Sequence, residues 1–320
     1  MREFIIGPND AGQRFDKYLF KLLKNAGSGL IFKQLRNKNI TLNNSKSKGN
    51  EILKESDVVK VFMADDTIEK FMGSSSSIIS VDYKTVLKVV YEDENIILCD
   101  KPMGVLSQKA NPDDISMNEY LLSYRKNTVA GETTFKPAFC NRLDRNTSGM
   151  MVGGLSLKGL QKMSEIIKDR TLNKYYLAVV TGKITEKSVL KGYLYKDEAT
   201  NKVVIKECDF KGSEYIHTEY EPVAVGNGIS LIKVHLITGK THQIRAHLAF
   251  NGHGILGDNK YGDVTTNRSY GVKGQLLHSY QVVFPKLDDE FSSISEKSFV
   301  TEYPESFERF FSYNEVKEKI

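Results

Sequence analysis

The chain lacks the features that define several large classes of protein. Its three cysteines, Cys99, Cys140 and Cys208, are odd in number and have no paired metal or redox spacing, which favours a reducing cytoplasm over a disulfide-stapled scaffold. No apolar run approaches the length that spans a bilayer, and the first residues do not form a signal-peptide pattern. No phosphate-binding loop or dinucleotide fingerprint is found. We therefore expect a soluble cytoplasmic protein without a membrane partner.

Positive charge is concentrated at the N-terminal end of the chain. Residues 1–60 contain twelve Lys or Arg against six Asp or Glu, although the whole chain has a formal net charge of only +5. Two short amphipathic helices are predicted there, the first with Phe15, Leu19 and Leu22 at helical spacing, and short strands follow. A basic module on a near-neutral body favours an anionic partner, most commonly nucleic acid, and a solvated basic face is the simpler alternative.

A stretch with few large apolar residues follows this module. Residues 64–83 contain Asp65-Asp66 and a serine run after Gly73, which together predict a flexible linker. We therefore place a small α+β domain at 1–63 and a second domain at 84–320. The second has many short strand-like runs and a few helices, which predict an α+β fold with a largely antiparallel mixed sheet.

The most informative stretch is centred on Asp144 and has the sequence Asn-Arg-Leu-Asp-Arg-Asn-Thr-Ser-Gly over residues 141–149. Asn, Asp, Ser, Thr and Gly favour tight turns, so Asp144 is predicted to lie on a rigid loop that leads into a strand. The neighbouring Arg142 and Arg145 would keep its carboxylate ionised, because nearby cations favour the charged form. An ionised carboxylate suits a nucleophile or a general base, whereas a surface salt-bridge cluster would give the same pattern.

A second stretch, residues 174–182, has the composition of a β-strand. Its adjacent Tyr175 and Tyr176 would face opposite sides of a sheet, because side chains alternate along a strand. One of them can therefore pack in a core while the other faces a pocket. A buried tyrosine with a bonded hydroxyl is the commoner structural reason for such a residue.

A third stretch, residues 238–248, predicts a helix that carries Arg245. A guanidinium stays charged and can hold a carboxylate in one geometry by two hydrogen bonds. His242 and His247 lie five residues apart with no carboxylate between them, which argues against the helix pattern of metalloproteases. A metal hydrolase built on these histidines is therefore disfavoured, and we expect no metal site.

Taken together, these stretches resemble the RluA/RluD-type pseudouridine synthases over nearly the whole chain. The matching strings are Arg-Leu-Asp-x-x-Thr-Ser-Gly at 142–149, Lys-x-Tyr-x-Ala-x-Val-x-Gly at 174–182 and Gly-x-Thr-His-Gln-Ile-Arg at 239–245. Asp-Lys-Pro-x-Gly at 100–104 resembles the opening motif of that family. The basic N-terminal module resembles the alpha-L RNA-binding fold. Two departures stand out, Asn141 in place of the usual His and Gly153-Gly154 in place of Val-Ala.

The resemblance implies isomerisation of uridine to pseudouridine within RNA, a reaction that needs no cofactor. Asp144 would be the essential carboxylate, Tyr176 would lie beneath the uracil, and Arg245 would orient Asp144. Whether Asp144 attacks the sugar or removes a proton stays open. Further contacts to the substrate are expected from Arg142, Lys174, Lys240, His242 and Leu277, and contacts of the N-terminal module to RNA from Arg14, Lys17, Lys33, Arg36 and Lys38.

The partner expected from this resemblance is structured RNA, and large-subunit ribosomal RNA is favoured because family members with such a module usually act there. A monomer is expected. The alternative from another class is an RNA-binding ribosome-assembly factor with little or no catalysis. That alternative explains the basic module equally well, but it gives no reason for Asp144, Tyr176 and Arg245 to occur together.

Overall fold

The computed structural model describes residues 1–73, 81–126, 134–197, 199–200 and 202–320. The first of these ranges contains β1 (Arg2–Ile5), α1 (Phe15–Leu22), α2 (Ser28–Arg36), β2 (Ile40–Leu42), β3 (Val58–Val61) and α3 (Asp65–Met72). Its strands form an antiparallel sheet in the order β1–β3–β2. The helix α1 follows from the spacing of Phe15, Tyr18, Leu19 and Leu22, which are all buried in the core of this N-terminal unit.

The segment predicted to be a flexible linker begins with the helix α3. Ile68 of this helix is fully buried in the N-terminal core, and Glu69 accepts a hydrogen bond from Arg2 at 3.0 Å. Asp65 and Asp66 lie in the first turn of α3, where negative side chains stabilise a helix through its dipole. These acidic residues therefore start a helix of the N-terminal unit, which corrects the predicted start of the linker. The serines at 74–77 lie outside the described residues.

The rest of the chain builds one large sheet with helices on its faces. Its strands are β4 (Lys88–Glu92), β5 (Ile96–Lys101), β6 (Ala138–Phe139), β7 (Ser148–Gly154), β8 (Asn173–Thr181), β9 (Ser188–Asp197), β10 (Lys202–Lys206), β11 (Glu214–Val225), β12 (Ile229–Leu236), β13 (Leu277–Val283) and β14 (Ser298–Val300). Its helices are α4 (Met117–Tyr124), α5 (Leu157–Lys168), α6 (Gln243–Phe250), α7 (Val264–Ser269), α8 (Glu305–Glu308) and α9 (Tyr313–Val316), with a 3-10 helix at Asp289–Ile294.

The strands of this sheet run in the order β10–β9–β11–β12–β8–β13–β7–β5–β4, with β14 beside β13 and β6 beside β7. Among the described strands, all pairs are antiparallel except β7 with β13, which are parallel. The predicted α+β class with a largely antiparallel mixed sheet is therefore confirmed. The helices lie on both sides of a sheet whose central strands are buried on each face.

Alternation along β8 divides its side chains between two cores. Tyr176 and Ala178 belong to the core on one face of the sheet, whereas Leu177 and Val179 belong to the core on the other. The C-terminal segment covers the second core and buries Phe307 of α8 there. The two adjacent tyrosines of this strand therefore face opposite sides, as the sequence predicted.

Two glycines allow close contacts around β7, the strand that follows Asp144. Gly149 has a φ of +109°, and a Cβ atom on it would lie 2.2 Å from the carbonyl oxygen of Ser279 in β13. Gly154 is one of the two glycines that depart from the family pattern, and a Cβ there would lie 2.3 Å from the backbone of Leu160 in α5. This departure therefore has a packing reason, and β7 is fixed tightly against its neighbours.

Candidate active site

Asp144 lies on the loop between β6 and β7, which is fixed on both sides of this residue. The carbonyl of Asp144 accepts the N–H of Thr147 at 3.0 Å and closes a turn. Leu143 donates its N–H to the hydroxyl of Ser107 at 3.0 Å, and that hydroxyl donates to the Leu143 carbonyl at 2.8 Å. Gln275 donates to the Thr147 hydroxyl at 2.5 Å. The predicted loop into a strand is confirmed, and the Asp144 side chain stays 27% exposed.

A buried lysine ties this loop to the end of β5. The ammonium group of Lys101 donates to the carbonyl oxygens of Pro102, Val105 and Arg145 at 3.0, 2.8 and 3.0 Å. Burial lowers the pKa of Lys101 to about 8, although the negative charge of Asp144 acts in the opposite direction. Because Arg145 is the residue after Asp144, the bond to its carbonyl helps to set the position of the carboxylate.

Arg245 is in direct contact with Asp144. Its Nη1 donates to Oδ2 of Asp144 at 2.6 Å. Arg142 is exposed, and Nε of Arg145 donates to the carbonyl of Gly104 at 3.0 Å. In the described residues neither flanking arginine pairs with Asp144, so the expectation that they hold the carboxylate ionised is corrected. The physical reason is that the Arg145 side chain is used to join two loops, while α6 carries Arg245 to the carboxylate.

Arg245 is held in place by a second carboxylate, which belongs to Asp258. Oδ2 of Asp258 accepts Nε–H at 2.7 Å and Oδ1 accepts Nη2–H at 2.9 Å, and this aspartate side chain is 0% exposed. Burial by itself would lower the pKa of Arg245, but the hydrogen bonds and charge of Asp258, and then the charge of Asp144, raise it overall. Arg245 is therefore a permanent cation shared by one buried and one accessible carboxylate.

The loop that carries Asp258 is fixed in turn by Asn267 of α7. Its Oδ1 accepts the N–H of Gly257 at 2.7 Å, and its Nδ2 donates to the carbonyl of Asp258 at 3.1 Å. Asn267 is buried. A chain of hydrogen bonds therefore runs from Asn267 through Asp258 and Arg245 to Asp144, and each member limits the freedom of the next.

Tyr176 of β8 packs beside Leu277 of β13 in the core next to this carboxylate. Burial raises the pKa of Tyr176 to about 12, and the charge of Asp144 adds to this effect, while a hydrogen bond with Ser279 opposes it. The hydroxyl of Tyr176 therefore keeps its proton at neutral pH. Tyr176 is 5% exposed and Leu277 is 4% exposed, so any contact with a substrate would use the edge of a packed surface.

His242 stands at the start of α6 in a left-handed backbone conformation, with φ 55° and ψ 16°. Its Nδ1 lies 2.9 Å from the hydroxyl of Tyr261 and its Nε2 lies 4.0 Å from Oδ2 of Asp144. Burial lowers the pKa of His242, the charge of Asp144 raises it, and the charge of Arg245 lowers it again. Such unusual backbone conformations tend to persist where function constrains a residue.

The other residues predicted to contact the substrate differ in their burial and in their partners. Lys174 is buried on β8, and burial lowers its pKa. Lys240 forms an ion pair with Glu214 of β11, so its charge is partly neutralised. Arg142 projects from the Asp144 loop and is exposed. The structure thus brings Arg245, His242 and Tyr176 close to Asp144. Leu277 lies in the same core as Tyr176, whereas Lys240 has its own acidic partner.

The cations predicted to bind RNA all belong to the N-terminal unit. Arg14 is exposed but donates to both carboxylate oxygens of Asp16, at 3.1 and 2.7 Å. Lys17 lies over the ring of Phe20, with its ammonium 5.9 Å from the ring centroid. The remaining three predicted residues are exposed on or just after α2, and they are Lys33, Arg36 and Lys38.

Sequence reasoning missed the structural roles of Lys101, Asp258, Tyr261 and Asn267. Lys101 was part of a recognised motif, but its three acceptors are backbone carbonyls, which leave no trace in a sequence. Asp258 follows the apolar pair at 255–256 and a glycine, so an acid directly after a buried segment was the available signal. Among the described residues, no group of three or more His, Cys, Asp or Glu side chains is placed to hold a metal ion.

Comparisons with known proteins identify the class to which this chain belongs. The family described as RNA pseudouridylate synthase matches residues 95–250, a range that contains Asp144, Tyr176 and Arg245. A solved structure titled human RNA pseudouridylate synthase domain containing 4 aligns with 72% of this chain and 93% of its own, with a TM-score of 0.56 and 21% identity. That likeness establishes the shared fold.

Curated relatives extend the match over most of the chain. An uncharacterized RNA pseudouridine synthase of Mycoplasma genitalium is 33% identical over 89% of this chain and 90% of its own length. Ribosomal large subunit pseudouridine synthase D of Borreliella burgdorferi is 29% identical over 97% and 92%, and synthase C of Pasteurella multocida is 28% identical over 87% and 84%. The chain belongs to the RNA pseudouridine synthase family, in its RluA branch. No helix within the described ranges is long and apolar enough to cross a bilayer.

Proposed function

We propose that this enzyme converts uridine to pseudouridine in large-subunit ribosomal RNA, with Asp144 as its essential carboxylate. The observation that carries the proposal is the 2.6 Å contact between Arg245 and an Asp144 side chain that remains 27% exposed. A carboxylate that is paired with a fixed cation and open to solvent is held in one orientation and is within reach of a substrate. The choice of ribosomal RNA follows the names of two relatives, the large-subunit synthases D and C.

The reaction breaks the N1–C1′ bond of a uridine, turns the base and joins its C5 to C1′, after which C5 loses its proton and N1 gains one. Atoms and electrons balance without an external donor or acceptor. Asp144 supplies the negative charge at the sugar, either by attack on C1′ or by removing a proton to start the rearrangement. Arg245 orients Asp144 because Asp258 fixes its guanidinium from behind.

Tyr176 is proposed to form the surface beneath the uracil ring, with Leu277 beside it. Because burial raises the pKa of Tyr176 to about 12, its hydroxyl is a poor proton acceptor in the free enzyme. Removal of the C5 proton by Tyr176 would require the bound nucleotide to lower that pKa. Tyr176→Phe would keep the ring surface and remove only the hydroxyl, so it separates these two roles.

Arg142 is proposed to enter the RNA where the target nucleotide leaves its stack. A base inside a stem cannot reach a recessed carboxylate unless it is flipped out. Arg142 is exposed and lies two residues from Asp144 on the same loop, which supports this role. Lys174, Lys240 and His242 are proposed to contact the flipped nucleotide.

The N-terminal unit is proposed to grip structured RNA through phosphates. Lys33, Arg36 and Lys38 form an exposed basic group on α2 and its C-terminal end, and such contacts weaken steeply with salt because counterions are released on binding. Deletion of residues 1–73, which removes α3 together with the rest of the N-terminal unit, should weaken RNA binding and leave the second domain folded. Equal affinity of the full-length and shortened proteins at several salt concentrations would contradict this role.

The function is tested on ribosomal RNA from cells that lack the protein. Pure wild type or Asp144→Ala is incubated with this RNA, and pseudouridines are then mapped by chemical labelling. New sites with wild type alone would establish the substrate and assign Asp144 its role. Tight, salt-sensitive binding with no new site from either protein would favour the assembly-factor alternative.

A further inference from the structure

The hydroxyl of Tyr261 connects the edge of the large sheet to the candidate active site. It accepts the backbone N–H of Val203 in β10 at 3.0 Å and lies 2.9 Å from Nδ1 of His242. A backbone N–H can only donate, so the hydroxyl oxygen is the acceptor in that bond. Burial raises the pKa of Tyr261, so the hydroxyl carries its proton at neutral pH. That proton is available for donation to the other partner of the hydroxyl, Nδ1 of His242.

Donation from Tyr261 to Nδ1 would determine which nitrogen of His242 carries hydrogen. An Nδ1 that accepts from Tyr261 is unprotonated, and a neutral imidazole then has its proton on Nε2. Burial also lowers the pKa of His242, which favours the neutral ring. In this form the imidazole is an N–H donor on its Nε2 side, where Oδ2 of Asp144 lies 4.0 Å away.

A separation of 4.0 Å is too long for a hydrogen bond. Within the described part of the chain, the Nε2–H of His242 therefore faces the reaction centre without a hydrogen bond to Asp144. The carboxylate already has a strong donor in Arg245 at 2.6 Å. A second N–H donor that does not reach the carboxylate is placed to bind a substrate group that lies beside the carboxylate.

We propose that Tyr261 holds His242 in its Nε2–H form and that this N–H binds an oxygen atom of the target nucleotide next to Asp144. The proposal rests on the proposed function, because the nucleotide is the ligand. Tyr261 acts as a positioning residue through His242. Its ring also packs under the guanidinium of Arg245, whose Cζ lies 5.2 Å from the ring centroid, so one side chain supports both groups that face the carboxylate.

The tautomer can be measured without any substrate. Ring-¹⁵N-labelled histidine is incorporated into the full-length protein, and long-range ¹H–¹⁵N spectra report the protonation of each of the six imidazoles. The His242 signals are identified by their loss in His242→Gln. We expect a neutral Nε2–H ring in wild type and a mixture of tautomers in Tyr261→Phe. An Nδ1–H ring or an imidazolium at neutral pH in wild type would overturn the proposal.

The role of the N–H in binding is tested kinetically with a matched pair of variants. His242→Gln places an amide N–H near the position of Nε2, whereas His242→Leu is of similar size but has no N–H donor. Both variants require the same left-handed backbone at position 242, so they are matched in that respect. We expect His242→Leu and Tyr261→Phe to raise KM for RNA roughly three- to tenfold, the usual effect of one lost neutral hydrogen bond, while kcat changes little. His242→Gln should recover most of the loss.

The control variant is Tyr303→Phe, which removes a partly buried hydroxyl bonded to the carbonyl of Phe311 at 2.8 Å, outside the candidate site. A purely structural role of Tyr261 in supporting Arg245 would lower kcat instead of raising KM, and that result would overturn the assignment. Equal KM values for His242→Leu, His242→Gln and wild type would overturn it as well. If wild type modifies no RNA, the proposed function fails together with the nucleotide contact, and the tautomer measurement still decides the effect of Tyr261 on His242.

Discussion

The buried carboxylate of Asp258 should contribute more to stability than the accessible carboxylate of Asp144, although both bind the same guanidinium. Asp258→Asn removes the charge of a fully buried side chain and replaces one acceptor of Arg245 by an N–H group that cannot accept. Loss of one partner from a buried ion pair costs about 3–5 kcal/mol. Because Arg245 keeps its 2.6 Å contact with Asp144, we expect the lower end, about 3 kcal/mol.

The free energy of unfolding is measured by urea denaturation at neutral pH. Asp144→Asn should cost about 1 kcal/mol or less, because its side chain is 27% exposed and Arg245 remains paired with Asp258. The double variant should lose more than the two single losses combined, since the guanidinium would then be buried without either carboxylate. Glu290→Gln is the control, because its pair with Lys158 is exposed and should be worth little.

A free energy of unfolding for Asp258→Asn within about 0.5 kcal/mol of wild type, the range of an ordinary surface substitution, would contradict this prediction. The prediction would also fail if Asp144→Asn cost as much as Asp258→Asn. Either result would mean that the chain of contacts behind Arg245 does not hold the guanidinium as its geometry indicates.

Three further predictions concern buried titratable groups near the site. Burial raises the pKa of Asp100 to about 6, so its ionised form opposes folding at neutral pH, and Asp100→Asn should raise the free energy of unfolding by about 1–2 kcal/mol at pH 7.5 in urea. Burial lowers the pKa of His278 to about 3, so as pH falls below about 6.5 only the unfolded chain binds a proton at this residue. The free energy of unfolding should therefore fall by about 1.4 kcal/mol per pH unit because of His278, and His278→Gln should flatten the dependence of that free energy on pH. Lys101→Met leaves three carbonyls without their donor, so the free energy of unfolding should fall by about 3 kcal/mol or more, and kcat for pseudouridine formation should fall as well. A variant with wild-type stability and kcat would show that Lys101 does not position the Asp144 loop.

Much of the fold was predictable because it follows from local patterns. Alternation placed Tyr175 and Tyr176 on opposite sides of β8, and the turn-forming residues around Asp144 indicated a loop before a strand. The helix α3 was missed because a helix of eight residues is marginal by itself and depends on tertiary packing, here the burial of Ile68. The sequence could not show that packing, whereas its acidic and small residues indicated a linker.

The candidate site was predictable only in part. Asp144 and Arg245 are 101 residues apart, and their pairing was expected from the family resemblance and not from the residues alone. Local charge reasoning selected Arg142 and Arg145, which are near in sequence but make other contacts or face solvent. Asp258 was missed because its importance lies in what it does to another side chain across the fold. Such residues become visible only when distances are known.

The most direct test of the central claim compares Asp144→Asn with wild type on ribosomal RNA that lacks the modification. Asparagine keeps the size of the side chain and the fold should persist, which denaturation verifies, but the carboxylate charge is lost. We expect wild type to introduce pseudouridine at defined uridines and Asp144→Asn, at equal RNA binding, to introduce none. Pseudouridine formed by Asp144→Asn at a rate near that of wild type would show that another group drives the reaction and would contradict the account.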